Sequence, residues 1–284
     1  MSDEFHIVEC PRDAMQGWEE FIPTGQKIRY LNSLLKVGFH TLDFGSFVSP
    51  KAIPQLRDTE EVLAGLELSS TKTKLLAIVA NVRGAEQALN HDEISFLGFP
   101  FSVSEEFQKR NTNSTIEESL MRVEEIQKLC IKKNKDLVIY ISMGFGNPYG
   151  EPWNAEIVIK WVRRLSAMGI KIIALSDTVG VSNPVNISSL FTQLIPEVKE
   201  VEFGAHLHSN PLTWLEKVEA AYQSGCKRFD SALKGIGGCP MANDDLVGNL
   251  ATENLVSYFK GIQDLQLQDA AFRDSLAIAA EIFH

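Results

Sequence analysis

Short apolar segments alternate with amphipathic segments along the whole chain. Eight segments rich in Ile, Val, Leu and Phe predict β-strands, and their nearly continuous apolarity is typical of parallel strands buried on both faces. These segments begin at Phe5, His40, Lys74, Glu93, Asp136, Lys171, Val201 and Lys227. The hydrophobic pattern therefore indicates a sheet of parallel strands.

The segments between the strands have the period of a helix. Four of them begin at Ile28, Thr115, Ala155 and Thr213. Glycine follows three of these, at Gly38, Gly169 and Gly225, where a left-handed residue is expected to stop the helix. Asn154 and Ser114 precede two helices and are expected to cap them.

Eight strands at a mean spacing of about 32 residues match eight βα units. Eight such units favour a closed (β/α)₈ barrel, the TIM-barrel architecture of the α/β class, over an open sheet. The third unit is the shortest, with a helix expected around residues 84–90. We predict one domain over residues 1–284, with the barrel at about 5–262 and a short C-terminal helical extension at about 263–284.

Composition limits the partners and the location of the protein. The chain has 27 Lys and Arg residues against 37 Asp and Glu, a net charge of −10, and no basic block, so neither nucleic acid nor an anionic membrane is an expected partner. No apolar run approaches the roughly 18 residues of a transmembrane helix, and the acidic N-terminus is unlike a signal or transit peptide. The four cysteines show no C-x-x-C spacing, which predicts reduced thiols and a cytoplasmic protein.

Polar residues collect at the C-terminal ends of the predicted strands, where (β/α)₈ barrels carry their active sites. The candidates are Arg12, Asp13, Asp43, Asp177, Thr178, His206, His208, Cys239 and Asn249. Residues i and i+2 of a strand share a face, so His206 and His208 converge, and Asp13 at the end of a nearby strand adds a carboxylate. Nitrogen and oxygen ligands without a thiolate favour Mg²⁺ or Mn²⁺. The alternative is that the two histidines only form hydrogen bonds in a polar layer.

Three of these residues have two interpretations each. Arg12 either binds an oxyanion or carboxylate of a ligand, or pairs with Asp43 or Asp177. Asp43 is either the structural partner of Arg12 or a general base. Cys239 follows three glycines in GIGGCP, which predicts a mobile loop that brings the thiol over the site, whereas a small buried hydrophobe is the alternative.

The ordered motifs resemble the 3-hydroxy-3-methylglutaryl-CoA (HMG-CoA) lyase family. They are PRDAMQ, SFVSPK, SVSEEFQKRN, NPYGE, SDTVGV, HLH, GIGGCP and GNLATE, and they extend from about residue 5 to about residue 260. Arg-Asp with His-x-His is shared by a wider superfamily of metal-dependent lyases and aldol-type synthases, whereas SFVSPK and GGCP are specific to the lyase branch. The chain departs from the family at Asp43, where a glutamate is usual, at Ser209, where an aspartate is usual, and in the segment after Cys239, which is one residue longer.

The resemblance implies roles for individual residues. The implied ligands of Mg²⁺ or Mn²⁺ are Asp13, His206, His208 and Asn249. The implied catalytic residues are Cys239, which is the mobile thiol, Arg12, Asp43 and His206. The implied substrate contacts are Arg12, Gln16 and Thr178. The implied partner is an acyl-CoA thioester, and a homodimer is the favoured assembly.

The implied reaction cleaves HMG-CoA to acetoacetate and acetyl-CoA, as in leucine degradation and ketone-body formation. A divalent metal lowers the pKa of the substrate hydroxyl, Asp43 or His206 accepts its proton, and Arg12 stabilises charge on the reacting oxygens. Cys239 then supplies a proton to the acetyl-CoA enolate, since an ordinary thiol has a pKa of about 8.5.

Three other functions remain open at the level of sequence. The same chemistry on a related 3-hydroxyacyl-CoA is compatible with the altered segment after Cys239. A condensing, aldol-type acyltransferase of the same superfamily is disfavoured by GGCP. A non-catalytic binding barrel predicts the loss of a metal-binding or acidic group, and each of the expected groups is present.

Overall fold

The computed structural model of the chain describes residues 4–238 and 247–284, and eight of its strands form a closed parallel barrel. These strands are β1 (His6–Glu9), β2 (Thr41–Ser46), β3 (Lys74–Ile78), β4 (Ile94–Ser102), β5 (Asp136–Ser142), β6 (Ile172–Asp177), β7 (Glu202–Ser209) and β8 (Arg228–Ser231). They pair in the order β6-β5-β4-β3-β2-β1-β8-β7, and the β6–β7 pair closes the ring. The predicted (β/α)₈ barrel is confirmed. A short ninth strand, β9 (Gly248–Asn249), pairs antiparallel with β7.

Helices connect the strands and surround the barrel. They are α1 (Pro11–Gln16), α2 (Thr24–Val37), α3 (Thr59–Ala64), α4 (Val82–Ala88), α5 (Glu105–Thr112), α6 (Ile116–Lys132), α7 (Ala155–Ala167), α8 (Pro184–Glu197), α9 (Trp214–Gln223), α10 (Thr252–Phe259) and α11 (Asp269–Ile282). Short 3₁₀ segments lie at Pro54–Leu56 and Leu233–Gly235. The third unit has a short helix, α4, as the sequence predicts, and α11 forms the expected C-terminal helix and packs against α2.

The three predicted glycine stops and one of the two predicted caps are confirmed, whereas α2 begins at Thr24, four residues before the predicted start. Gly38, Gly169 and Gly225 have φ values of 91°, 84° and 98°, which are left-handed. The side chain of Asn154 accepts a hydrogen bond from the Ile157 amide and caps α7. We expected Ser114 to cap α6, but it does not. The neighbouring Thr115 takes that position, because it forms a reciprocal capping box with Glu118.

Two apolar layers explain the continuous apolarity of the strands. One layer fills the space between the strands and the surrounding helices. A smaller cluster fills the barrel interior with Leu76, Ile78, Phe96, Val138, Tyr140, Ile172 and Ala174. Alternate residues of each strand therefore face different apolar surroundings, as in parallel sheets generally. Within residues 4–238 and 247–284, no helix combines the length and the apolarity needed to cross a membrane.

Candidate metal centre

Arg12 and Asp13 lie on α1, a helix of six residues that begins directly after β1. Pro11 occupies the first turn of this helix, where its missing N–H is tolerated and its fixed φ suits the helix. The helix is too short to show an apolar period, and the sequence did not predict it. Its position after β1 places both charged side chains at the C-terminal mouth of the barrel.

The Arg12 guanidinium joins three acceptors at this mouth. Its Nε and Nη2 donate to Asp43 Oδ2 over 2.9 and 2.6 Å, and its Nη1 donates over 2.9 Å both to Asp13 Oδ1 and to Gln16 Oε1. Of the two ion pairs considered from the sequence, the pair with Asp43 is present. The pair with Asp177 is not formed, because that carboxylate binds Lys217 instead.

The pKa values of the two carboxyl groups beside Arg12 are shifted in opposite directions. Burial opposes the ionisation of Asp13, but the positive charge of Arg12 outweighs it, with smaller contributions from the nearby His206 and His208 and from the Asn249 hydrogen bond, and the pKa of Asp13 falls to about 2. Asp43 is wholly buried, and this burial raises its pKa to about 6 despite the two hydrogen bonds from Arg12. Asp13 is therefore ionised at neutral pH and able to bind a cation.

His206 and His208 lie on the same face of β7, as their spacing predicts. Nδ1 of His206 lies 3.1 Å from Asp230 Oδ2, and Nδ1 of His208 lies 3.2 Å from the Thr178 carbonyl. Since both partners are acceptors, each Nδ1 carries a proton, and in the neutral form of each ring Nε2 keeps a lone pair. Nε2 of His208 has no hydrogen-bond partner among the described residues. This tautomer and this orientation are those of metal-binding histidines.

The pKa values of the two rings shift in opposite directions. Burial favours the neutral form of His206, but the hydrogen bond and the charge of Asp230 outweigh it and raise its pKa. Burial and the neighbouring His206 lower the pKa of His208. A histidine must be neutral to bind a metal, and the lowered pKa of His208 favours that form.

Asn249 reaches the site through β9. The antiparallel pairing sets Asn249 opposite His208, and its Nδ2 donates to Asp13 Oδ2 over 2.7 Å and to the Ile236 carbonyl over 2.9 Å. These bonds occupy the amide nitrogen and leave Oδ1 as the atom available to a metal. The structure therefore brings together all four residues that the resemblance implies as ligands.

The ligand atoms of Asp13, His206 and His208 lie within 4.8 Å of one another. One oxygen and two imidazole nitrogens suit a divalent cation with further positions open to water or substrate. Cys10, His206 and Asp230 form a second close group. In that group the Cys10 thiol is buried, and burial and nearby carboxylates raise its pKa well above its ordinary range, so the thiol is protonated in the metal-free protein.

A cavity of about 350 Å³ opens beside these groups. Six of the predicted site residues line this cavity, and they are Arg12, Asp13, Gln16, Thr178, His206 and His208. Asp43 is buried behind Arg12 and does not line the cavity. The Thr178 hydroxyl accepts a hydrogen bond from the Met143 amide, so this residue supports the site with its hydroxyl and with its carbonyl.

Two residues of the site, Asp230 and Lys217, were missed from the sequence, and the close packing at Gly237 was not predicted. Asp230 orients His206 from the interior of β8, and a carboxylate inside an apolar strand was the available clue. Lys217 lies under the end of β7, although its position on α9 is typical of an exposed lysine. A Cβ on Gly237 would stand 2.5 Å from Asn249 Nδ2 and 3.0 Å from the Asp13 carbonyl, so glycine is required there.

Cys239 lies outside the described residues. The glycines that precede it are described, and Gly235, Gly237 and Gly238 have φ values of 65°, 104° and 146°. The sequence correctly predicted unusual backbone angles at these three positions. The chain at Gly237 packs directly against Asp13 and Asn249, two residues before the cysteine.

Comparisons with known proteins agree with this geometry. The sequence matches the HMGL-like protein family over residues 6–275. It is 33% identical over 259 residues to the cytoplasmic 3-hydroxy-3-methylglutaryl-CoA lyase of Rattus norvegicus, with 90% of this chain and 74% of that protein covered. It is 34% identical over 246 residues to the hydroxymethylglutaryl-CoA lyase YngG of Bacillus subtilis, with 87% and 81% covered.

A solved structure extends the similarity to the whole fold. This structure is an HMG-CoA lyase from Acinetobacter baumannii in complex with coenzyme A and 3-methylmalate. It superposes with a TM-score of 0.91 at 32% identity and covers 100% of this chain and 93% of that chain.

Proposed function

The chain belongs to the HMGL-like family, and we propose that it is a divalent-metal-dependent carbon–carbon lyase that cleaves HMG-CoA to acetoacetate and acetyl-CoA. The observation that carries this proposal is the convergence of Asp13, His206 and His208 beside the Arg12 guanidinium, at the edge of one cavity. Family membership supports the reaction class, and the residues of this site support the chemistry.

The proposed metal ligands are Asp13, His206, His208 and Asn249. The orphaned Nε2 of His208, buried with its lone pair turned away from the Thr178 carbonyl, supports this assignment, as does the ionised state of Asp13. Mg²⁺ or Mn²⁺ is the proposed ion, because the set has oxygen and imidazole donors and no thiolate. When bound, the ion supplies Lewis acidity, which lowers the pKa of a coordinated hydroxyl.

Arg12 is the proposed electrostatic catalyst. Three of its nitrogens are held by Asp43, Asp13 and Gln16, so the guanidinium is fixed before a substrate arrives. A preorganised cation lowers the energy of charge that develops on a reacting oxygen, because no reorientation is needed during the reaction. Gln16 and Thr178, which line the same cavity, are proposed substrate contacts.

Asp43 and His206 are the two candidates that can accept the hydroxyl proton. His206 lines the cavity, but its Nε2 cannot bind a metal and accept a proton in the same step. Asp43 has a pKa raised to about 6 by burial and an Oδ1 without a hydrogen-bond partner among the described residues, and both features suit a base. We propose that one of these two residues accepts the proton: Asp43 has the better-suited pKa but does not line the cavity, whereas His206 does.

Cys239 is the proposed proton donor to the enolate of acetyl-CoA. The described chain contacts Asp13 and Asn249 at Gly237, and two further residues span at most about 7 Å. This short connection supports a role for the thiol at the site. The proton of the substrate hydroxyl goes to the base, the C2–C3 electron pair goes to the enolate, and the thiol proton goes to its carbon.

Several broader features of the protein also remain proposals. We propose a single domain over residues 1–284 and a homodimeric assembly, which light scattering on the purified protein tests. We also propose a cytoplasmic location. The free thiols of Cys10, Cys130 and Cys226 support a reducing compartment, and roles in leucine degradation and ketone-body formation would follow from the reaction.

The test of the proposed function is a cleavage assay on purified, chelator-treated protein with HMG-CoA and a series of related 3-hydroxyacyl-CoA thioesters. We expect equal amounts of acetoacetate and acetyl-CoA from HMG-CoA, only after Mg²⁺ or Mn²⁺ is added. The matched control is Asp13→Asn, which keeps the shape of the side chain and removes its charge. If only another thioester is cleaved, that thioester and not HMG-CoA is the substrate. If none is cleaved, the lyase function is overturned.

A further inference from the structure

Lys217 is a lysine buried beneath the metal centre. It lies on α9 with only 3% of its surface exposed, and its Nζ donates to three acceptors. These are Asp177 Oδ2 at 3.0 Å, the Gly180 carbonyl at 3.2 Å and the His208 carbonyl at 2.8 Å. An ammonium group has three donors, so all of them are used inside the protein.

The three acceptors belong to the two segments that orient His208. The His208 carbonyl is part of β7, and Asp177 and Gly180 enclose the turn after β6. Between them, the Thr178 carbonyl accepts the hydrogen bond from Nδ1 of His208. One ammonium group therefore fixes the backbone of His208 and also the turn whose carbonyl sets the rotation of its ring.

Further contacts make this turn rigid. Asp177 Oδ2 also accepts hydrogen bonds from the amide and the hydroxyl of Ser182, which close the turn on its other side. A Cβ on Gly180 would stand 2.8 Å from Val247, two residues before Asn249, so the turn also packs against the chain that carries the fourth proposed ligand. The ammonium and the Asp177 carboxylate neutralise each other, so the effect of the pair on the site is mainly geometric.

We propose that Lys217 is a positioning residue for the metal centre, which holds His208 so that its Nε2 meets the ligand atoms of Asp13 and His206. This inference rests on the proposed metal-dependent function. Removing a group that orients a metal ligand through a hydrogen bond typically weakens metal binding by about 10- to 100-fold.

The chain contains a matched control in a second buried Lys–Asp pair. Lys27 is 1% exposed, and its Nζ donates to Asp58 Oδ1 over 2.6 Å and to the Gln55 carbonyl. The two pairs have the same chemistry, but neither acceptor of Lys27 belongs to the proposed metal centre. Removal of either pair therefore affects stability in a similar way, whereas only one pair supports His208.

The experiment measures Mn²⁺ binding by calorimetry and unfolding by thermal melting in two double variants. Lys217→Met with Asp177→Asn removes both charges behind His208, and Lys27→Met with Asp58→Asn removes both charges of the control. We expect the Kd for Mn²⁺ to rise about 10- to 100-fold in the first and to change less than about twofold in the second, with similar decreases in Tm. Ser182→Ala loosens the same turn without removing a charge and replaces the first variant if that variant does not fold, with a smaller rise in Kd expected.

The outcomes separate this inference from the proposed function. If the unmodified protein binds no Mn²⁺, the metal-dependent function fails, and the role of Lys217 fails with it. If the unmodified protein binds Mn²⁺ and the Lys217 and Ser182 variants bind it equally well, the positioning role alone is overturned. Equal losses of affinity in the Lys217 and Lys27 variants would also overturn it, because they would reflect general destabilisation.

Discussion

Each mouth of the barrel contains two histidines, an arginine and carboxylates, but the two sets are arranged differently. At the C-terminal mouth, His206 and His208 each direct Nδ1 to a fixed acceptor, and their ligand atoms gather with Asp13 within 4.8 Å. At the N-terminal mouth, His6 and His40 stack with 3.6 Å between ring centroids and 17° between ring planes. Lone pairs lie in the planes of the rings, so stacked rings do not direct them at a shared point.

The charged groups differ in the same way. Arg12 forms hydrogen bonds with three side chains, whereas the guanidinium of Arg228 makes none within residues 4–238 and 247–284 and lies 3.7 Å from Glu202 Oε1. Glu202 is also 2.6 Å from Nδ1 of His6. His6 and Glu202 therefore satisfy each other, whereas Arg228 is buried without a hydrogen bond, and among the described residues these groups form no ligand set.

Cavity size does not distinguish the two mouths. The cavity at the N-terminal mouth has a volume of about 520 Å³, and the cavity at the C-terminal mouth has about 350 Å³. The smaller cavity is the one with converging ligand atoms and a preorganised cation. The directions of the ligand lone pairs therefore identify the site better than cavity volume or residue type does. Three predictions test this difference between the two mouths.

The largest expected effect is the loss of a metal ligand. His208→Ala should abolish Mn²⁺ binding and lower kcat by about a thousand-fold or more, because a bound metal supplies several kcal/mol of charge stabilisation. His40→Ala, the corresponding change at the N-terminal mouth, should leave both quantities nearly unchanged. Calorimetry and the cleavage assay measure these effects, and equal losses in the two variants would remove the distinction between the mouths.

The next effect concerns the arginines. Arg12→Lys keeps the charge but loses the planar group that joins Asp43, Asp13 and Gln16, so kcat should fall by about 100-fold or more, with little change in Tm. Arg228→Lys should instead alter Tm and leave kcat nearly unchanged. Steady-state kinetics and thermal melting on both variants give the comparison. A large decrease in Tm with normal kcat for Arg12→Lys would make its ion pair purely structural.

The smallest effect is a pH dependence of stability at the N-terminal mouth. Burial and the nearby charges of His6, Arg228 and Lys74 lower the pKa of His40 from 6.5 to about 3. The unfolded chain therefore binds a proton at this residue before the folded chain does, and stability decreases as the pH falls from 6.5 towards about 3. His40→Phe should reduce this decrease, which urea unfolding at about pH 5 and about pH 7.5 measures. An unchanged pH dependence would show that His40 titrates normally.

The sequence predicted the features that depend on regular patterns. Continuous apolar segments marked the eight strands, and the spacing of His206 and His208 placed their side chains on one face of β7. Because (β/α)₈ barrels carry their active sites at the C-terminal ends of the strands, the sequence also predicted that Asp13 lies at the same mouth. These inferences succeed because they depend on the periods of strands and on the closure of the barrel.

The rest of the site depends on segments too short or too irregular to have a period. The six residues of α1 and the two residues of β9 have no measurable apolar pattern, yet α1 directs Arg12 and β9 brings Asn249 beside His208. Lys217 looks like an ordinary exposed residue of a helix, because its burial depends on where the turn after β6 packs. Such contacts arise from tertiary structure, and a single sequence contains little trace of them.

The most direct test of the central claim is a crystal structure of the protein with Mn²⁺, in which anomalous scattering locates the ion. We predict one site per chain, at the C-terminal mouth, with Asp13, His206, His208 and Asn249 at about 2.0 to 2.4 Å from the ion and at least one water bound. An ion bound by His6, His40 and Glu202, an ion bound by Cys10 and Asp230, or no ordered ion at all would contradict the claim.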